Sequence, residues 1–325
     1  MGSEKMRAFM CYQYGSPADL VLEEVERPVP KSNEVLAKAE SISVNAGDWH
    51  VIRGDPFVVK LMFGFSKPRD PILGFDFAGR VVAVGSDVKD FKAGDEVFGN
   101  MNLGAFAEYA CKPETQFVAK PSSMSFEQAA TLPTAGGTAL AAVRDMTNVK
   151  PGQRVLVIGA CGGVGSFCTQ IAKSMGAHVT AVCSTSNVDM AKELGADEVF
   201  DYQKEDICKS GRVFDVILDN GLFRSMLDYR QIMDPAGSTY LLIGGSTDRF
   251  FPALAMSPFV SMFNKKKMKI CAVEPGPPLL KDLVELFEAG KVKPAIKRRY
   301  AFEQLPESLI YLEEGHTVGK VVVNM

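Results

Sequence analysis

The 325-residue sequence predicts an α/β protein in which a β-rich part and a doubly wound parallel sheet share one chain. Three observations predict it. Residues 6–120 are short apolar runs broken by Gly and Pro, such as EVLAKAESISV, FAGRVVAVG and DEVFG, the texture of a small barrel. From about residue 123, strand and helix patterns alternate. Finally, VLVIGACGGVG at 155–165 joins an unalternating apolar run, buried on both faces in a parallel sheet, to a glycine-rich turn.

In the alternating part, strands are expected at 154–158, 178–183, 198–200, 214–218, 239–243 and 267–272, with helices such as Val188–Leu194 and Leu222–Met233 between them. A last helix, Leu279–Ala289, stops at Gly290, and the tail returns to β texture in GKVVVN. No repeat or low-complexity linker interrupts the chain. The expected division is 1–122 with 274–325 for the β-rich domain and 123–273 for the domain of alternating strands and helices. An active site is then expected in the cleft between them.

The glycine turn carries the first chemistry. After the strand Arg154–Ile158, the segment Ser166–Met175 puts Phe167, Ile171 and Met175 on one helical face. Gly176 closes that helix, and HVTAVC follows as a second strand. This βαβ context is what a dinucleotide fingerprint requires, here written Ala160-x-Gly162-x-x-Gly165. Gly162 lets backbone approach a pyrophosphate, Gly165 lets the helix pack on its strand, and the amides of Gly163 and Val164 lie at the helix start. The alternative is a plain tight turn between strand and helix.

Composition narrows the classes. Lys and Arg number 36 against 39 Asp and Glu, so the net charge of −3 leaves no basic footprint for nucleic acid. Lys265–Lys267 is a dense basic run, read as a solvated turn before a strand, with phosphate binding as the other option. Seven cysteines without a CxxC pair fit free thiols in a reducing cytoplasm. No apolar stretch approaches a membrane span, and MGSEKMRAF has no signal-peptide core. Residues 1–5 read either as native or as an extension ahead of Met6.

Seven blocks in order give the chain a family likeness. They are VNAGDWHVIRGD (44–55), GFDFAGRVVAVGSDVKDFKAGDEVFG (74–99), FAEYA (106–110), AATLPTAGGTALAAV (129–143), GACGGVG (159–165), GADEVFDY (195–202) and GHTVGKVVV (315–323). On these the chain resembles the medium-chain dehydrogenase/reductase superfamily, specifically its zinc-free, zeta-crystallin-like quinone oxidoreductase branch, essentially end to end. The resemblance implies a GroES-like β-barrel catalytic domain plus a Rossmann domain, with Ala160 usual for this branch. Zinc-bearing members place a cysteine, a histidine–glutamate pair and a third ligand around the metal. Here those positions read Asn45, Phe75-Asp76 and Thr134, and the four-cysteine lobe is absent. Phe75 cannot bind zinc, Asn45 and Thr134 are poor ligands, and no metal is expected.

Without a Lewis acid, hydride is expected to go to an already electrophilic acceptor: a small hydrophobic quinone, or an alkene conjugated to a carbonyl. Asn45 is a candidate donor to the developing oxyanion, or else a turn residue capping the strand end. Asp48 matches the family's acidic position, or caps the next turn. Thr134 is expected near the nicotinamide ribose, or as a buried hydroxyl bonded to backbone. Gly244 and Gly245 end a strand at the carboxyl edge of the sheet. Gly319 and Lys320 match the family's closing GK near the cofactor, with a surface lysine as the alternative.

The second strand of the nucleotide domain ends Cys183-Ser184-Thr185-Ser186-Asn187, and its nearest acid, Asp189, lies in the following helix. Hydroxyls without a carboxylate admit a 2′-phosphate, so NADPH is expected over NADH by a modest margin, with Tyr202 and Lys204 contributing. Phe57, Met62, Phe63 and Phe65, together with the stretch Phe250–Phe263, either line an apolar pocket or pack. The resemblance also implies a homodimer. Two rivals stand beside the quinone or enone reductase: an enoyl-thioester reductase, and a non-catalytic NADPH-binding regulatory or structural protein.

Overall fold

The computed structural model describes residues 4–245, 265–273, 275–315 and 317–325, so the apolar stretch 250–263 lies outside the described residues. The chain forms two compact units: Met1–Ala135 with Pro275–Val284 and Ile296–Met325, and Gly136–Glu274 with Glu285–Ala295. Unit 1 begins with β1 (Lys5–Met10), β2 (Val21–Glu26), β3 (Glu34–Val44), β4 (Asp76–Val84), β5 (Glu96–Asn100), β6 (Tyr109–Pro113) and β7 (Phe117–Ala119). Unit 2 supplies β8 (Arg154–Ile158), β9 (His178–Cys183), β10 (Glu198–Asp201), β11 (Val216–Asp219), β12 (Ser238–Leu242) and β13 (Lys266–Ile270). The chain then returns to unit 1 for β14 (Ile296–Ala301) and β15 (Lys320–Asn324).

In unit 1, β1 and β2 form a hairpin, and the larger sheet runs β14-β15-β3-β4-β5-β7 with β6 also on β3. Alternation along β3 turns Val35, Ala37 and Ala39 inward, and a register shift between Ala39 and Ser41 passes the inward face to Ile42 and Val44, which join Phe77, Phe9, Phe106 and Phe302 in an apolar core. Register decides what meets at one end of this sheet. Ser43 pairs with Asp76, Val44 with Val321, and Asp76 with Asn100. The end of β3 and the starts of β4 and β15 therefore converge, next to the end of β5.

In unit 2 the order is β10-β9-β8-β11-β12-β13, parallel throughout. The order reverses between β8 and β11, and ligands of such sheets bind outside the carboxyl ends at that switch point. The helix after β8 runs Gly163–Ser174 and starts three residues before Ser166, because Gly162 is its N-cap in extended geometry. Gly165 has no room for a side chain: a Cβ there would sit inside the van der Waals contact of the Gly159 carbonyl oxygen. Gly159 itself takes φ +69° to turn the chain off β8.

Two expected elements shrink. The strand expected from 214 starts at Val216, because Asp215 turns its carboxylate to the backbone and guanidinium of Arg154. The helix expected over 222–233 reduces to Met226–Tyr229 and a 3-10 turn at Arg230–Ile232. Its start is lost because Asp219 Oδ1 accepts the amides of Gly221 and Leu222, holding Leu222 at φ +47°. Lys266 is already in β13, with its ammonium on the carbonyl of Arg230.

The segment just after residue 123 packs on unit 1. Helix α3 there (Phe126–Ala130) lies on β3 and β4, and Glu127 accepts from Arg299 and Asn324 at 2.9 Å each. Lys293 exchanges two hydrogen bonds with Gln170 inside unit 2.

Two glycine substitutions test this packing with opposite signs. Gly165→Ala forces the Gly163–Ser174 helix off its strand and is expected to cost about 1–3 kcal/mol. Gly47, in the helix after β3, has room: its added Cβ would meet Phe75 at an ordinary 3.5 Å. Gly47→Ala is expected to hold or raise stability by about 0.5–1 kcal/mol. Equilibrium urea unfolding measures both, and an undiminished Gly165→Ala variant would refute the close approach.

Candidate functional site

Unit 1 gathers ionic side chains at the convergent strand ends described above. Asn45 directly follows β3 and is the N-cap of helix α1 (Ala46–Arg53). Its side chain does not cap the helix but points sideways: Nδ2 donates to Asp76 Oδ2 at 2.9 Å and to the Ser43 carbonyl at 3.3 Å. Its Oδ1 accepts from Lys320 Nζ at 2.5 Å, and that ammonium also reaches the Val44 carbonyl at 3.4 Å. The lysine contact fixes which way round the amide lies, since an ammonium has no acceptor to offer.

Asp76, the first residue of β4, collects the remaining donors. Its Oδ1 accepts the Thr134 amide at 2.9 Å and the Thr134 hydroxyl at 2.6 Å. Thr134 lies in Leu132–Gly136, wound as π-helix, a turn type that recurs at functional sites. Asn100 donates to Thr134 Oγ1 at 3.1 Å. Asp48 sits one turn into α1, where its Oδ2 accepts the Asn45 amide at 2.7 Å. Its Oδ1 accepts no hydrogen bond of normal geometry, with the Phe75 amide giving weak help nearby.

Asp48 and Asp76 are wholly buried, Lys320 is 3% exposed and Asn45 7%. Burial first, and then the charge of Asp76, push the Asp48 carboxyl up to about 8. Burial also raises Asp76, opposed mainly by Lys320, and it lowers Lys320, opposed by both acids. One cation therefore faces two acids. Asp76 is the better solvated by hydrogen bonds, so it carries the charge while Asp48 keeps a proton near neutrality. The pair Asp76⁻ and Lys320⁺ is then balanced, with Asn45 bridging it.

This set does not fit a zinc ion. The oxygen and both N–H groups of Asn45 are engaged, Thr134 donates its proton to Asp76, and Phe75 offers no donor atom. A dication beside the buried Lys320 ammonium would be repelled. Among the described residues, no group of three His, Cys, Asp or Glu side chains is placed to hold a metal.

Unit 2 brings the other expected residues to the carboxyl edge of its sheet. Ala160, Gly162, Gly163, Val164 and Gly165 follow β8, and Gly162–Val164 keep part of their surface open. Ser184, Thr185 and Ser186 follow β9, Tyr202 follows β10, and Gly244 and Gly245 follow β12. Buried Asp219 fixes the loops between, taking Tyr240 Oη at 2.6 Å besides its two amides. The close backbone approach at Gly165 seats the start of the Gly163–Ser174 helix against the end of β8, so a helix N-terminus lies at the switch point, an arrangement suited to a dinucleotide phosphate.

The structure adjusts several expectations. Lys320 is not a surface residue, and with Gly319 it belongs to unit 1 beside Asn45. The Asn45 amide has no N–H left for an oxyanion, so its geometry is that of a bridge between charges. The turn after β9 does have a carboxylate: Asp201, ending β10, accepts Thr185 Oγ1 at 2.5 Å and pairs with Lys204 at 3.1 Å. Asp189 is the nearest acid along the chain, whereas Asp201 arrives in space from the neighbouring strand. Asp76, Asn100 and Asp219 were not picked out as site residues. For Asp76 a signal existed, since it fills the glutamate position of the histidine–glutamate pair. In α2 (Phe57–Phe63), Phe57 and Met62 are exposed, as is Phe65 beyond it, while Phe63 packs on Phe75.

Comparison with known proteins gives the chain's family and fold. Residues 31–122 match the alcohol dehydrogenase GroES-like domain, and residues 194–323 match the zinc-binding dehydrogenase family. The chain is 33% identical to a chloroplast envelope quinone oxidoreductase homolog of Arabidopsis thaliana, over 99% of both chains. It is 32% identical to an NADPH-dependent alkenal/one oxidoreductase, chloroplastic, of the same plant, covering 98% of this chain and 80% of that one. The solved quinone oxidoreductase of Coxiella burnetii superposes with a TM-score of 0.86 at 28% identity, over 99% of this chain and all of that one.

The raised Asp48 carboxyl has a consequence for stability. A carboxyl ordinarily near 3.8 that is held near 8 takes up a proton on folding, so stability falls as pH rises through that window. Lys320 works in the opposite sense, its lowered affinity for the proton making the fold less stable as pH falls. Asp48→Asn keeps the acceptor for the Asn45 amide and removes the titration. Urea unfolding between about pH 5 and pH 8 should show wild-type stability falling more steeply than the variant's, by up to about 1.4 kcal/mol per pH unit. Parallel curves would mean that Asp48 is ionised throughout.

Proposed function

The chain belongs to the medium-chain dehydrogenase/reductase superfamily, in its quinone oxidoreductase family, and on that premise we propose that it passes hydride from NADPH to small hydrophobic quinones and α,β-unsaturated carbonyls without zinc. The observation that carries the zinc-free part is the Lys320–Asn45–Asp76 bridge, which fills the ligand positions with a balanced ion pair. The relatives named for quinones and for alkenals and enones support the acceptor class.

The reduced nicotinamide, when bound, supplies the hydride. Amides at the start of the Gly163–Ser174 helix hold the phosphates, and Ser184 and Ser186 face the ribose end. Thr185 gives its proton to Asp201 and offers none to a 2′-phosphate, while Lys204 pairs with Asp201 and offsets its repulsion of that phosphate, so the NADPH preference we propose is modest. In unit 1, Asp48 in its protonated form keeps excess negative charge away from an acceptor that is gaining electrons. Asn45 and Thr134 hold the geometry of that pocket, and the last proton comes from solvent. A quinone or enone suits such a site because it accepts hydride at carbon and spreads charge onto oxygen without a Lewis acid.

The seven cysteines, none of them in a disulfide, suit a reducing compartment, the cytoplasm in our reading, and no helix among the described residues is long and apolar enough to cross a membrane. A homodimer is the assembly we propose, as the family resemblance implies.

One assay series tests the whole reading. Purified protein is given NADPH or NADH with a benzoquinone or an enone, with and without a chelator, while nicotinamide absorbance is followed and bound zinc is measured. Acceptor-dependent oxidation, faster with NADPH, indifferent to chelator and without stoichiometric zinc, is expected. NADPH binding with no acceptor-dependent oxidation would instead identify a binding protein. One tightly held zinc per chain, needed for turnover, would overturn the zinc-free reading.

A further inference from the structure

Two of the seven cysteines meet at the proposed cofactor site. Cys161 lies in the glycine turn after β8, and Cys183 is the last residue of β9. The strands are neighbours in register up to Ile158 and Val182, and the Ala160 amide donates to the Val182 carbonyl at 3.2 Å. This continues the ladder into the turn and brings the two thiols within hydrogen-bonding reach of each other. Cys161 Sγ also lies 3.4 Å from the Asn187 carbonyl, at the far side of the Ser184–Asn187 turn.

We propose that Cys161 and Cys183 form an oxidant-sensitive dithiol whose disulfide lowers affinity for the dinucleotide. The consequence for binding rests on the proposed function. The turn carrying Cys161 is the one read as holding the pyrophosphate, and Cys183 begins the turn read as facing the ribose. A bond between them pulls the first turn toward β9 and draws Cys161 off the Asn187 carbonyl, shifting both walls of that site at once.

The chemistry selects this pair. Thiolates, not thiols, attack peroxides. Burial pushes Cys11 up to about 11, Cys111 to about 12 and Cys271 to about 11, and it raises Cys168 and Cys208 as well. Cys183 goes the other way despite its own burial: when it ionises, Cys161 can turn its one S–H from the Asn187 carbonyl to the Cys183 sulfur, and that hydrogen bond lowers it. With hydrogen peroxide as oxidant, the Cys183 thiolate attacks one peroxide oxygen. The O–O bond breaks, hydroxide leaves and takes up a proton, and a sulfenic acid remains. The Cys161 sulfur then attacks the Cys183 sulfur, a second water leaves, and the S–S bond closes. The sum is two thiols and one peroxide giving one disulfide and two waters.

The test uses the full chain, reduced and then treated with hydrogen peroxide, with and without bound NADPH. Peptide mapping under non-reducing conditions should find the Cys161–Cys183 link and two thiols lost. NADPH affinity should fall by about ten-fold or more, recover with dithiothreitol, and be protected by prior NADPH binding. In Cys183→Ser, affinity after peroxide should equal that variant's own affinity before it. Absence of the link in wild type, or its presence with unchanged NADPH affinity, overturns the proposal. Failure of the untreated protein to bind NADPH is a separate readout and refutes the cofactor site itself.

Discussion

The buried contact between the Lys320 ammonium and the Asn45 amide is the constraint on which the rest of unit 1 depends. An ammonium removed from water needs acceptors and a counter-charge, and here it has Asn45 Oδ1, the Val44 carbonyl and the field of Asp76. Satisfying it orients the Asn45 amide, which fixes the donor offered to Asp76, which in turn holds Thr134. A second acid beside this pair has no cation left, so Asp48 holds its proton. The site chemistry follows from that count of charges.

Backbone register delivers these groups. Asp76 is flanked by Ser43 on one side and Asn100 on the other, and Lys320 leads into the strand beside Val44. Asp76 and Lys320 lie in the sheet and Asn45 directly follows β3, so register sets their positions. Unit 2 follows a comparable logic with backbone in place of charge. Buried Asp219 ties down the turns at the carboxyl edge, and the tight fit at Gly165 brings a helix N-terminus up to that edge.

Much of this was legible in the sequence because period and punctuation are local. Unalternating apolar runs located β8 and β9 to the residue, and Gly290 marked a helix end that the structure puts at Glu288. Turn chemistry hid the rest. Asp219 captures two amides that would otherwise have begun a longer helix, and apolar spacing over 222–233 carries no sign of it. In the site, Asn45, Asp48, Thr134 and Lys320 were all named, but not their mutual contacts. Residues 45, 76 and 320 meet through sheet register, and Thr134 reaches Asp76 from the π-wound segment Leu132–Gly136; a single sequence states neither. The same holds for Asp201, which reaches Thr185 from an adjacent strand. Asp76 stands in the sequence at the glutamate position of a ligand pair, but its contacts with Asn45 and Thr134 are long-range and leave no local pattern.

If Lys320, Asn45 and Asp76 act as one bridge, the buried charges in unit 1 are energetically coupled. A double-mutant cycle on Lys320→Met and Asp76→Asn, read by urea unfolding at neutral pH, measures this directly. Lys320→Met alone leaves an uncompensated buried carboxylate and should cost about 3–5 kcal/mol. Asp76→Asn alone sets two amide N–H groups against each other while Lys320 prevents Asn45 from turning over. With both changes the charge is gone and Asn45 is free to flip and receive the new amide. The double variant should then be more stable than Lys320→Met, with a coupling of about 1–3 kcal/mol. Additive losses, leaving the double variant the least stable of the set, would contradict the account.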